Sequence, residues 1–253
     1  MNLTTKRNSN LEQLIINGDY YEAMKYVSVF DEDDIFSFLY NFAEDEKHLA
    51  AYTFSCFMYE QTLSEEWHEF IWLLTMTSFV SIDGMNYIRV FYSREMAKNN
   101  RTVENLSGLL EMNFCPDTEE LINKSESILL AEEILGIDKS ERVANKFMEE
   151  LKLGNIKENM QDENFVTCLE MGLYEKALDY LECMDGISKH EFCVEYAKKE
   201  QSLEIFCFVQ YMIKKTKAAE WVRIVIDVLT NGLQSLEEYG VCDVALFFEK
   251  QLA

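Results

Sequence analysis

Imidazole is the usual general base and metal ligand near neutral pH, so the three histidines are the first residues to test for chemistry. His48, His68 and His190 stand far apart, and none lies in a His-x-x-x-His or His-Glu-x-x-His pattern. The seven cysteines, Cys56, Cys115, Cys168, Cys183, Cys193, Cys207 and Cys242, include no Cys-x-x-Cys. No Cys–His spacing matches a structural zinc site. Glu65-Glu66-Trp67-His68 gathers ligand types, but neighbouring residues on a helix point about 100° apart and rarely share a metal. All three histidines therefore read as surface imidazoles. Gly-x-Gly-x-x-Gly, P-loop and Gly-x-Ser-x-Gly motifs are missing as well. The chain offers no catalytic, cofactor-binding or metal-binding residue, and a helical enzyme is the least favoured class.

Carboxylates are the more telling groups. Asp31-Glu32-Asp33-Asp34 and Glu44-Asp45-Glu46 flank the helix of Phe38. Neither run has the alternating oxygen ligands and central glycine of an EF-hand loop. One reading is a solvated helix terminus favoured by its dipole. The other is an acidic lip for a basic partner, with Tyr40 as an aromatic anchor. The candidate partner-binding residues are thus Asp31, Glu32, Asp33, Asp34, Tyr40, Glu44, Asp45 and Glu46. Phe36, Phe38, Tyr40 and Phe42 alternate, and alternate helical positions point about 200° apart. Some of these rings must therefore be exposed or meet a second layer.

Whole-chain charge sharpens the choice of partner. The 253 residues carry 23 Lys and Arg against 46 Asp and Glu, a net charge of −23. Such a field repels nucleic acid phosphates and anionic membranes and suits a basic protein. Simple solubility explains it equally well. An odd number of cysteines, mostly within apolar helical stretches, fits a reducing compartment. Met1 to Asn8 lacks an apolar signal core. The longest apolar stretch, Phe70 to Ile82, is interrupted by Thr75, Thr77, Ser78 and Ser81 and is too short to span a bilayer. It is expected to be a buried helix, and the protein is expected in the cytoplasm without a cofactor.

These groups must be positioned by helices. Hydrophobic content is 48%, with one proline and nine glycines, so an all-α fold is expected. Apolar residues recur at helical spacing from Leu11 onward, as in Tyr20, Ala23, Met24 and Val27, or Leu49, Tyr52, Cys56 and Phe57. Ser64 is placed to cap a helix carrying Trp67. Phe114-Cys115-Pro116-Asp117 is the one strong break.

The chain also contains itself twice. Shifted by 154 positions, Gly18, Tyr20, Ala23 and Tyr26 fall on Gly172, Tyr174, Ala177 and Tyr180. The same shift takes Phe38, Ala43, Leu49, Phe54, Met58 and Trp67 onto Phe192, Ala197, Leu203, Phe208, Met212 and Trp221. After two inserted residues, Gly84, Phe91 and Ala97 fall on Gly240, Phe247 and Ala253. The organisation expected is a repeat unit over 1–98, a helical middle over 99–160 and the second copy over 161–253. The acidic runs are not repeated: Asp185-Gly186-Ile187-Ser188 and Lys198-Lys199-Glu200 stand in their places.

Gly18-Asp19-Tyr20-Tyr21-Glu22-Ala23 and Gly172-Leu173-Tyr174-Glu175-Lys176-Ala177 resemble the Gly-x-Tyr-x-x-Ala segment of tetratricopeptide (TPR) repeats. Ala131 to Asp138 followed by Ala144 looks like the junction of two such repeats, although no strict 34-residue period runs along the chain. This resemblance implies a TPR-like α-α superhelix of stacked antiparallel helix pairs. The order from Trp67 through Leu109-Leu110, Phe114 and Pro116 to Ala144 is similar to TPR-like proteins encoded beside bacterial polymorphic toxins. That similarity implies an immunity-type inhibitor of a basic toxin domain. A TPR-like scaffold that binds a peptide or helix in a concave groove is the alternative.

Overall fold

The structure is a computed structural model that describes residues 9–46, 48–115, 117–119, 121–156, 164–184 and 186–252. Pro116 and Asp185, named above for the chain break and the second acidic run, lie outside the described residues. Among the described residues the fold is all-α, with no strand. The first copy supplies α1 (Ser9–Ile16), α2 (Tyr20–Val27), α3 (Glu32–Glu46), α4 (Leu49–Thr62), α5 (Glu65–Met76) and α6 (Met85–Asn99). The middle supplies α7 (Val103–Glu111), α8 (Lys124–Ile137) and α9 (Arg142–Leu153). The second copy supplies α10 (Phe165–Glu170), α11 (Tyr174–Glu182), α12 (Lys189–Glu200), α13 (Glu204–Thr216), α14 (Ala219–Asp227) and α15 (Val241–Leu252).

Helix boundaries repeat with the sequence. Tyr20 and Tyr174 open α2 and α11, while Thr62 and Thr216 close α4 and α13. The residues just past those two ends, Leu63 and Lys217, both turn left-handed, with φ of 55° and 56°. Neither is glycine, so each turn carries about 1–2 kcal/mol of strain that both copies accept. Some expected boundaries move. The helix expected through Phe70 to Ile82 ends at Met76, where the Thr75 and Thr77 hydroxyls bond back to the carbonyls of Trp72 and Leu73. Gly136 does not interrupt its helix, and α8 runs on to Ile137. The stop comes from Asp138, whose carboxylate accepts the Ser140 N–H at 2.8 Å.

The first two helices of each copy pack on the last helix of the other. Gly18, at φ +71°, lies so close to α15 that a Cβ there would be 2.5 Å from the Phe247 nitrogen. Tyr20 then stacks on Phe247, with ring centroids 4.1 Å apart. In the second copy Gly172, at φ +67°, would place a Cβ 2.8 Å from the Phe91 Cα on α6. Tyr174 stacks on Phe91 at 4.3 Å. A cation completes each contact: Lys250 donates to the Asn17 carbonyl at 2.8 Å, and Arg94 to the Met171 carbonyl at 2.8 Å. Asn17 and Met171 are themselves counterparts in the duplication, as are Lys250 and Arg94.

This exchange divides the chain differently from its sequence. The two compact units are Met1–Met85 with Asp185–Ala253, and Asn86–Met184. Neither coincides with the expected segments 1–98, 99–160 and 161–253, because α6 leaves its own copy for α10 and α11. The first unit is built around α4, buried without interruption from Leu49 to Met58, and α13, buried from Glu204 to Val209. A Tyr52 hydroxyl to Cys207 sulfur contact of 3.1 Å joins these two helices. In the second unit α7, α8 and α9 pack on one another around Leu106, Leu110, Ala131 and Phe147, all fully buried.

Candidate functional site

α3 carries every candidate partner-binding residue except Asp31, which immediately precedes it. Ile35, Phe38, Leu39, Phe42 and Ala43 bury one face at helical spacing. The alternating aromatics resolve into two layers. Phe38 and Phe42 stack on each other at 6.3 Å, and Phe42 continues onto His48. Phe36 turns instead to Trp67 and Phe70, with centroids 4.8 and 4.7 Å away.

The face of α3 opposite the core is acidic at both ends, with Ser37 and Asn41 between them. Asp31, Glu32, Asp33 and Asp45 are exposed, and Asp34, Tyr40 and Glu44 are partly exposed. Glu46 belongs to the helix, but its side chain lies outside what the structure describes. Asp33 or Asp34, Ser37, Asn41, and Glu44 or Asp45 recur at three- and four-residue steps, so both acidic runs share one stripe. At 1.5 Å per residue, Asp33 and Asp45 are about 18 Å apart, too far for one small ligand and suited to an extended surface. The first run sits where the helix dipole favours anions. The second sits in the last turn, which holds no basic residue, where each anion costs about 0.3–1 kcal/mol. The counterpart helix α12 follows the favourable pattern, with Lys198 and Lys199 in its last turn.

The histidines do not all lie at the surface. His68 is 5% exposed and rests on the Tyr59 ring at 4.7 Å. Burial, then the nearby Lys214 charge, pushes its pKa down to about 4, so the ring is neutral at pH 7. His48 caps α4: its Nδ1 accepts the Ala50 N–H at 3.1 Å, and Nε2 meets Asp243 of α15 at 3.1 Å. Gly240 packs directly against that ring, leaving no room for a Cβ. Sequence spacing could not show these surroundings, because Asp243 beside His48 and Lys214 near His68 lie in distant helices. His190 is the one that stays half-exposed, paired with Asp227 at 2.6 Å. Ser188 is near in sequence, but its hydroxyl caps α12 by accepting the Glu191 N–H at 3.1 Å. Among the described residues no group of three or more His, Cys, Asp or Glu is arranged to hold a metal ion.

A second feature was not foreseen. In the first unit, α2, α4, α13, α15 and the start of α14 enclose a cleft of about 560 Å³. Tyr20, Phe57, Phe247 and Phe248 form its floor, and Lys214, Lys217, Lys250 and Glu60 stand at its rim. The signal available in the sequence was the matched retention of Gly18, Tyr20 and Phe247 with Gly172, Tyr174 and Phe91.

No protein-family model, curated protein or solved structure matches the chain. Among the described residues no helix is long and apolar enough to cross a membrane.

Proposed function

We propose that the protein is a non-enzymatic, cytoplasmic protein-binding module whose α3 face captures a basic partner. The resemblance noted in the sequence makes an immunity-type inhibitor of a basic bacterial toxin domain the specific form of this reading. Its packed sequential helix pairs fit a TPR-like α-α superhelix, which is part of the same proposal. The observation that carries it is the acidic stripe on α3, above all Glu44 and Asp45 at the helix end that disfavours them. Carboxylates that work against local stability are expected where recognition, not folding, selects them. Neither nucleic acid nor an anionic membrane suits such a surface.

The test is charge reversal with the product of the adjacent gene as partner. Asp33→Lys/Asp34→Lys and Glu44→Lys/Asp45→Lys should slow association at low salt and flatten its salt dependence, with the helical content unchanged. Reversal of Glu191 and Glu195 on α12 should matter less. Association rates that are equal and insensitive to salt in all variants would reject the acidic face. The cleft favours the second reading, a scaffold that holds a peptide, and there apolar substitutions would dominate over charge reversal.

A further inference from the structure

The cleft holds chemistry that the α3 face does not use. Its volume lies within the roughly 300–1,000 Å³ usual for small-ligand sites. Its floor is preformed: Tyr20, Phe57, Phe247 and Phe248 are 1–7% exposed, and Tyr20 is already stacked on Phe247. A preformed apolar floor spares a ligand the cost of ordering side chains.

The rim is asymmetric in charge. Lys250 is engaged by Asp19 and the Asn17 carbonyl, and Glu22 by Lys25 at 2.7 Å. Lys217 and Lys214 face Glu60 across the opening, with the Lys214 ammonium lying over the Tyr59 ring at 4.8 Å. The cleft walls push the Glu60 carboxyl up from its ordinary value, against the pull of both lysines, although part of that side chain still meets water. The start of α14 adds a further positive element. Ala218 occupies its N-cap and offers no side-chain bond. Ala219, the first residue of α14, lines the cleft. A nine-residue helix without a cap thus turns its positive end toward the two lysines.

We propose that this cleft binds a carboxylate carried on an apolar body. The carboxylate lies between Lys214, Lys217 and the first turn of α14, and the apolar body covers Phe57, Phe247 and Phe248. A medium-chain fatty acid and the free C-terminus of a peptide ending in an apolar residue share this chemistry.

Calorimetric titration of the full chain separates the two sources. The probes are decanoate against decanol, and the tripeptide Ala-Leu-Phe against its C-terminal amide. At least one acid should bind tenfold or more tightly than its uncharged counterpart, about 1.4 kcal/mol. The acid that does so identifies the source. Lys214→Gln/Lys217→Gln should reduce that advantage below threefold and leave the uncharged probe unchanged. Ala219→Trp, which fills the mouth, should abolish binding of both while the circular dichroism spectrum stays helical. Failure of both acids to bind at millimolar concentration overturns the proposal. So does equal affinity of acid and uncharged probe, or an advantage that survives in the double glutamine variant. The α3 charge reversals should leave this binding intact, so the two surfaces stand or fall separately.

Discussion

If each copy lends its first helix pair to the other, then the glycines at those crossings cannot accept a side chain without parting the helices. Gly18 and Gly172 can be compared with Gly186 and Gly154, which share a positive φ but differ in surroundings. Gly18 and Gly186 lie in one compact unit, Gly172 and Gly154 in the other. All four have φ between +67° and +86°. An alanine at any of them meets the left-handed penalty of about 1–2 kcal/mol. At Gly154 and Gly186 the added methyl meets nothing within 4 Å, so the penalty ends there. At Gly18 it would sit 2.5 Å from the Phe247 nitrogen, and at Gly172 2.8 Å from the Phe91 Cα. Both obstacles are backbone and cannot rotate aside. The helices must separate, which adds about 1–3 kcal/mol of overpacking. The expected totals are about 2–5 kcal/mol for Gly18→Ala and Gly172→Ala, against about 1–2 kcal/mol for the other two. Urea unfolding followed by circular dichroism, with amide exchange in α2 and α11 as a local probe, measures each difference within its own unit. Costs within about 0.5 kcal/mol of each other inside a pair would refute the crossing.

Two further outcomes follow from burial. Trp67→Ala and Trp221→Ala should each cost about 3–5 kcal/mol. Both rings are nearly inaccessible, at 1% and 4%. Trp67 should lie toward the upper end because it meets Phe36, Phe54 and Phe70, and a stable Trp221→Ala protein would deny the equivalence of the two positions. His68 should make stability fall in mild acid: its folded pKa, about 4, lies below the ordinary value of 6.5. The unfolded chain binds the proton first, so the stabilisation is whole above pH 6.5 and is lost as pH falls toward 4, roughly 3 kcal/mol in all. Unfolding midpoints of the parent and His68→Phe that fall in parallel across that range would remove His68 as the cause.

Much of the fold was legible because helical periodicity is a local property. Tyr20, Ala23 and Val27 are buried as their spacing requires, and α9 stops at a glycine, Gly154. The end of α5 was less legible, since Phe79 and Ile82 are as buried in turns as they would be in a helix. The exchange between copies was not legible at all. An apolar stripe states that a helix has a partner, and says nothing of which helix that is. Gly18 and Phe247 are 229 positions apart, and only the close approach of backbones explains why both copies keep glycine and phenylalanine there. The cleft was hidden for the same reason, because its walls come from five separate helices. For the acidic surface, the residues were legible and their arrangement only half so. The two runs look like flanks in the sequence, while the helix sets Asp33 and Asp34 on the same face as Glu44 and Asp45.

The duplication supplies an internal comparison for both proposed surfaces. Two segments that share helix boundaries and buried positions face the same demands of folding, so a departure in only one of them needs another cause. α12 carries Lys198 and Lys199 in its last turn before Glu200, as the helix dipole favours, whereas α3 ends in Glu44, Asp45 and Glu46 with no basic residue. Ala218 stands at the N-cap of α14 beside Lys214 and Lys217 where α5 has Ser64, whose hydroxyl turns to Glu66 and makes no bond to the helix backbone either. The acidic departure works against its helix end, and the two departures fall in different copies. The acidic one has an extended stripe, which fits a protein. The basic one has an aromatic-floored cleft, which fits a small anion or a chain end. Had drift alone produced them, such departures would be scattered without regard to surface features. Their coincidence with the acidic stripe and with the cleft is the argument for testing these two places before any other.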